Sequence, residues 1–357
     1  MKMWDDRHGS RRFDEGLQNT KLRGEERYME KSKAKELVIR AGKEIAAKGL
    51  IAGTWGNISC KTDEKHFVIT ASGRDYETLT EDEVIEMDID TLSCAGEVTP
   101  SSEKRVHREI YRLRDDAKFI IHTHQHNASA VSAMGQYHIK PDREYDGIGE
   151  FVQVSEYGLP GTSGVADKVA EAVQDSIGKA VIMSNHGAVV YGGDYEEALQ
   201  IAENLEEACG NYLKGIGVEP WDGDEEHFRE KWNTSPAVMK YIQIRDTLPA
   251  YLDDFAQLIG PAMRVIDDDE EAITVAEEEK RPVLVRGRGA MCNGERESDA
   301  AAVSMVIEKN ARAALAGQGV KAIGRDETIL MRQAYLHKYS KLKDRPAEGS
   351  GAAEKNI

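Results

Sequence analysis

The sequence predicts a layered α/β fold in two units. Leu37, Val38, Ala41, Ile45 and Ala46 recur at helical spacing, the signature of an amphipathic helix. Short β-rich runs broken by glycine follow, Gly53-Thr-Trp-Gly-Asn-Ile-Ser59 and then His66 to Gly73. The chain has 357 residues of which 40% are hydrophobic, enough for at least one large core and for two units at the usual domain size.

Taken in order, residues 1–30 show no period of 2 or 3.6 and read as a polar, disordered tail. The first helix starts after Ser32 and stops at Gly49, a helix C-terminal signal. The two glycine-broken runs read as strand, turn, strand. Ser101-Ser102-Glu103 opens a helix carrying Val106, Ile110 and Leu113, and Phe119 to His124 is a strand. Val181 to Val190 is a strand interrupted by a turn, before a helix with Ala198, Ile201, Leu205 and Ala208 on one face. Residues 31–215 thus form the first unit. Residues 216–230, with glycine, proline and acids, suit a linker, residues 231–343 form a smaller α/β unit, and 344–357 read as a flexible tail.

Val283 to Gly294 and the helix after it resemble the stretch 181–205. Gly187, Ala188, Gly192 and Ala198 align with Gly289, Ala290, Gly294 and Ala300, each 102 residues later. Two readings stand at this level: a degenerate partial repeat, or chance likeness between two strand–turn–helix units. In that register Arg288 replaces His186, so the second unit lacks the same ligand.

The formal net charge of -17 disfavours nucleic acid and anionic membranes as partners, since both need a basic face. Met1 to Arg27 holds no apolar secretory core and no run reaches about 18 apolar residues. Cys60, Cys94, Cys209 and Cys292 form no C-x-x-C pair, which argues against thiolate zinc and a disulfide framework. A cytoplasmic protein is expected.

Chemistry concentrates in His122-Thr-His124. Side chains alternate along a strand, so both imidazoles leave the same face within reach of one ion. Taken alone, that pattern suits a packed or solvated histidine pair better. His126 continues the face as a further ligand or a surface group. Glu103, at a helix start, and His186, before Gly187, could complete a carboxylate and three imidazoles suited to a divalent metal. Taken singly, Glu103 also fits a first-turn acid facing the helix dipole, and His186 a turn residue.

With Gly53-Thr-Trp-Gly-Asn-Ile-Ser59, Thr70-Ala-Ser-Gly73, Pro100-Ser-Ser-Glu103, His122-Thr-His124 and Asn185-His-Gly187 in this order, the chain resembles the class II aldolase/adducin family over roughly residues 34–212. The resemblance implies a three-layer α/β/α fold with a mixed, largely antiparallel central sheet. It makes His122, His124 and His186 metal ligands and Glu103 both ligand and acid/base. Thr54, Asn57, Ser72, Gly73, Ser101 and Ser102 become the phosphate pocket, which small hydroxyls, glycine and a helix N-terminus suit on physical grounds too. A tyrosine acid is expected by analogy, with Tyr145 the candidate by position and Tyr137 or Tyr157 as substitutes.

The implied activity is that of a metal-dependent aldehyde-lyase, reversibly cleaving a ketose 1-phosphate to dihydroxyacetone phosphate and an aldehyde through a metal-stabilised enediolate. The metal expected is zinc, with manganese, cobalt and magnesium as alternatives, and the protein a homo-oligomer. Rival activities on the same site are pentulose-phosphate epimerase, dehydratase and decarboxylase. Family epimerases commonly carry aspartate after the paired serines, so Glu103 leans toward an aldolase. A non-catalytic, adducin-like interaction protein is the reading of another class.

Overall fold

The structure, a computed structural model, describes residues 29–51 and 54–339, so most of the two expected tails, and Gly53, lie outside the described residues. Helix α1 (Lys31–Ala47) buries Ala34, Val38, Ala41 and Ile45, one stripe at helical spacing. It ends in a Schellman motif: Gly49 at φ +65 lets its own N–H reach the Ala46 carbonyl and the Leu50 N–H reach Ile45.

Strands β1 (Asn57–Lys61), β2 (His66–Thr70) and β3 (Val84–Asp88) form an antiparallel meander. Helix α2 (Lys104–Leu113), β4 (Phe119–Thr123), α3 (His126–Ser132), β5 (His138–Ile139) and β6 (Val152–Ser155) follow. Then come α4 (Ser163–Asp175), β7 (Ala180–Met183), β8 (Gly187–Gly192) and α5 (Tyr195–Gly215). The eight strands make one sheet in the order β3-β2-β1-β4-β8-β7-β6-β5. Its pairs are antiparallel except β6 with β7, whose connection through α4 is the crossover that a parallel pair requires. Val106 and Ile110 of α2 and Val165 and Val169 of α4 pack on one face of the sheet, and α1, α3 and α5 cover the other. This is the expected α/β/α layering.

The C-terminal unit has its own sheet, built from β9 (Trp232–Asn233), β10 (Thr247–Pro249), β11 (Ala262–Ile266), β12 (Val283–Val285) and β13 (Gly289–Met291). Helices α6 (Pro236–Ile244), α7 (Asp253–Leu258), α8 (Glu270–Glu278), α9 (Glu297–Ala316) and α10 (Arg325–Ala334) surround it. The order β9-β13-β12-β11-β10 matches β4-β8-β7-β6-β5 in sequence and in every strand direction. Helix α9 starts at Glu297, 102 residues after Tyr195 starts α5. A Cβ on Gly192 would lie 2.6 Å from the Ala198 nitrogen, and one on Gly294 would lie 2.6 Å from that of Ala300. The C-terminal unit thus has the architecture of the second half of the first, without counterparts of β1 to β3 or α2.

The two sheets share a core. One apolar cluster runs from α1, α3 and α5 into Val238, Phe255, Val303 and Ile307 of the second unit. The segment 216–230, which reads as a linker, is packed: Trp221 stacks on His126 at 4.0 Å between ring centroids, and Phe228 is buried behind it. Cys60, Cys209 and Cys292 are buried thiols, Cys94 is exposed, and all four are free. Among the described residues no helix is long and apolar enough to cross a membrane.

Beside this junction Glu308 is buried between His227 Nε2 and Arg312 Nη2, each at 2.7 Å. Burial alone would raise its carboxyl, but His227 and Arg312 outweigh it and bring it down to about 2. A depressed carboxyl stabilises the fold above its unfolded value and stops doing so as pH falls through the folded one. The urea midpoint is therefore expected to drop as pH falls from the ordinary 4.5 toward about 2. Glu308→Gln, weaker at neutral pH, should lose less over that window, and a parallel pair of curves would contradict this origin.

Candidate metal centre

His122 stands on β4 between Asn57 of β1 and Val189 of β8, in the middle of the eight-stranded sheet. His124, one residue past the strand end, keeps the same face. His126 does not: the strand stops at Thr123 and α3 begins at His126, so alternation ends and the ring turns to Trp221 and Phe228 instead. His186 sits in the β7–β8 turn after Asn185, a non-glycine residue at φ 59. That left-handed conformation is uncommon outside glycine and is held here by contacts from the second unit, Asn185 Nδ2 to the Tyr251 carbonyl at 2.8 Å and the Asp253 N–H to the Asn185 carbonyl at 2.9 Å. Gly187 is required by crowding, since a Cβ there would lie 2.2 Å from the Thr123 carbonyl oxygen.

The three rings converge through their Nε2 atoms. His122 Nε2 is 3.2 Å from His124 Nε2 and 3.1 Å from His186 Nε2. Glu103, at the N-terminal end of α2, brings Oε2 to 3.0 Å from His122 Nε2 and Oε1 to 3.3 Å from His186 Nε2. The Nδ1–H of His122 points at the Ala188 carbonyl at 2.8 Å, which leaves Nε2 as a lone-pair donor. Facing lone pairs repel unless a cation lies between them. Metal–nitrogen bonds of 2.0–2.1 Å place tetrahedral ligands about 3.3 Å apart, close to these separations, so the three imidazoles fit a divalent ion, with the Glu103 carboxylate beside them.

Glu103 is fixed from behind. Asn57 Nδ2 donates to Oε2 at 3.1 Å, and Asn57 Oδ1 in turn accepts from His107 Nε2, whose Nδ1 meets Ser59 Oγ at 2.6 Å. Burial pushes His107 down to about 3, so the ring is neutral and serves as a strut. Burial would also raise Glu103, but His186 and His122 outweigh it and hold its carboxyl well below the usual range. His124 is pushed down to about 4 by burial against the pull of Asp254. For His186 burial is overcome by Asp253 and Glu103, which carry it up to about 9.

A cavity of about 130 Å³ opens beside the cluster. Thr54, Asn57, Ser72, Gly73, Ser101 and Ser102 line it together with Glu103, His124 and His186, so all the residues of the expected phosphate pocket meet at one cavity. Gln257, Met331, Ala334 and Tyr335 from the second unit also line it. A larger cavity of about 980 Å³ shares Thr54, Trp55 and Tyr335 with it. Lys280, Arg281 and Arg296 in that cavity each pair with an acid, Glu295, Glu279 and Asp299. Tyr145 lies elsewhere, its hydroxyl bonded to Asp142 at 2.9 Å and to Asn211 at 3.0 Å, and it does not line the small cavity.

The family described as Class II Aldolase and Adducin N-terminal domain matches residues 36–213, which contain the whole histidine and glutamate set. A 5-deoxy-D-ribulose 1-phosphate aldolase of Bacillus thuringiensis serovar kurstaki is 31% identical over 188 residues, 52% of this chain and 87% of that one. The chain belongs to the class II aldolase and adducin family. A 3-oxo-tetronate 4-phosphate decarboxylase of Haemophilus influenzae is 28% identical over 181 residues, 49% of this chain and 84% of that one. A solved L-fuculose 1-phosphate aldolase is 32% identical, with a TM-score of 0.49 over 54% of this chain and 91% of that chain. Residues beyond 213 form a separate extra region outside the class II aldolase match. It is from this region that Asp253 and Asp254, both wholly buried, come to lie behind the class II aldolase histidines. No sequence pattern singles these aspartates out.

Proposed function

We propose that the protein is a metal-dependent aldehyde-lyase that reversibly cleaves a ketose 1-phosphate to dihydroxyacetone phosphate and an aldehyde. The observation that carries this reading is the Glu103 carboxylate and three Nε2 atoms meeting beside a cavity that Glu103, His124 and His186 line together with hydroxyls and glycine. His122, His124, His186 and Glu103 would hold the ion, zinc by preference for nitrogen-rich four-ligand sites. A divalent cation there supplies Lewis acidity toward the substrate carbonyl.

The chain's own groups do the rest. Thr54, Ser72, Gly73, Ser101 and Ser102 receive the phosphate, aided by N–H groups at the start of α2, and so offset an overall charge of -17 that repels anions. Asn57 lines the same wall with its side chain committed to Glu103. Glu103 delivers the proton to the carbon next to the carbonyl in the cleavage direction and removes it in synthesis.

The test is a screen of ketose 1-phosphates against the zinc-loaded protein, with released dihydroxyacetone phosphate read by coupled reduction. Release stoichiometric with an aldehyde is the expected result. Carbon dioxide release from a phosphorylated 3-oxo sugar acid, without ketose cleavage, would instead move the reading to a decarboxylase, the activity named for one relative. A protein that takes up no metal would end both.

A further inference from the structure

Two of the three imidazoles depend on the second unit for their orientation. Each converging Nε2 leaves an Nδ1 on the far side of its ring, and that atom needs an acceptor if the ring is to be held in one tautomer. His122 finds one within the sheet, the Ala188 carbonyl. For the other two rings the nearest carboxylates lie at the start of α7. Asp253 Oδ2 is 2.8 Å from His186 Nδ1, and Asp254 Oδ2 is 3.7 Å from His124 Nδ1. Both aspartates are 0% exposed.

We propose that Asp253 and Asp254 are positioning residues for the metal centre: the C-terminal unit clamps His186 and His124 with Nδ1 protonated and Nε2 turned inward, so that the ion is held by the first unit and oriented by the second. This rests on the metal-dependent reading above. Three features of the structure support it. First, the Nδ1 atoms of His124 and His186 and the carboxylate oxygens Asp253 Oδ1, Asp253 Oδ2 and Asp254 Oδ2 are buried without a well-angled hydrogen bond, and of these oxygens Asp254 Oδ2 also meets the Lys309 ammonium. Buried polar groups are nearly always satisfied, and a small ring rotation toward the ion satisfies these.

Second, the carboxylates are held from behind. Asn310 Oδ1 accepts the N–H groups of Tyr251 and Leu252 at 2.8 and 3.0 Å, and Lys309 Nζ contacts Asp254 while donating to the His124 carbonyl at 2.9 Å. Helix α9 therefore sets the segment 251–254 and its neighbour strand end in one frame.

Third, the buried charge is net acidic and favours a dication. Glu103, Asp253 and Asp254 bring three buried carboxylates to this interior, and Lys309 is the ammonium among them. With neutral imidazoles two negative charges stay uncompensated, a heavy cost in a dry interior. A divalent ion offsets both.

Zinc affinity measured by competition with a chromogenic chelator tests the clamp on the full chain. Asp253→Asn and Asp254→Asn, folded as judged by circular dichroism, are each expected to bind zinc on the order of 10–100-fold more weakly than wild type. Cobalt(II) in place of zinc should show shifted visible bands in Asp253→Asn, a change of ligand geometry that a remote structural role would not produce. If the variants fail to fold, long-range nitrogen–proton correlation spectra of zinc-loaded wild type decide instead: all three rings should be protonated at Nδ1. Unchanged affinity and bands, or rings ligating through Nδ1, would overturn the clamp and leave the metal-dependent reading intact. Wild type that binds no zinc would overturn that reading itself.

Discussion

Glu103→Gln is expected to keep its metal and lose on the order of 10²–10⁴-fold in kcat, the usual contribution of a positioned acid or base. The amide retains a side-chain oxygen where Oε1 and Oε2 meet His186 and His122, and Asn57 Nδ2 still has a carbonyl oxygen to bond. What it lacks is a site for the proton. The exchange of the methylene proton of dihydroxyacetone phosphate with deuterated solvent isolates this step from bond cleavage, and it should fall together with kcat. If exchange and cleavage both persist at wild-type rates, the base is another group, with Tyr157, whose hydroxyl burial and the charge of Asp253 push up, the first to examine.

Lys309→Met should produce the largest loss of stability. Its ammonium is wholly buried against Asp254, a carboxylate that burial would raise and that Lys309 holds well below the usual range. Breaking such a pair strands the remaining charge and costs about 3–5 kcal/mol. The urea midpoint should shift accordingly, with neither unit spared because the core is continuous through both. Asp254→Asn combined with Lys309→Met removes both charges and should recover part of the loss, since a buried pair replaced as a whole is far less costly than one that is broken. A single variant as stable as wild type would mean that water or another cation reaches Asp254.

What could be read before any coordinates were known follows the reach of local physics. Alternation along β4 placed His122 and His124 on one face, and it failed at His126 because the strand stops three residues earlier and a helix begins. Helical spacing and a terminal glycine located α1 closely. Residues 216–230 read as a linker because glycine, proline and acids dominate there, yet Trp221 and Phe228 anchor them against His126. Asp253 and Asp254 were invisible for a different reason. In a chain with 64 acidic residues a Leu-Asp-Asp triplet carries no signal, and its meaning comes from Asn310 and Lys309 more than 50 positions away. Arg286 and Arg288 pair with Asp246 and with Asp268 and Glu270 at the surface.

The match between the two sheets gives the second unit a ghost of the centre. Registering β9 on β4 and β13 on β8 sets Trp232, Thr234 and Arg288 at the places of His122, His124 and His186. Histidines written back at those three places would meet no glutamate, because the element bearing Glu103 has no twin there. For a protein engineer the second unit is thus a blank socket: it could be taught to grip an ion, while the proton chemistry would stay with its neighbour.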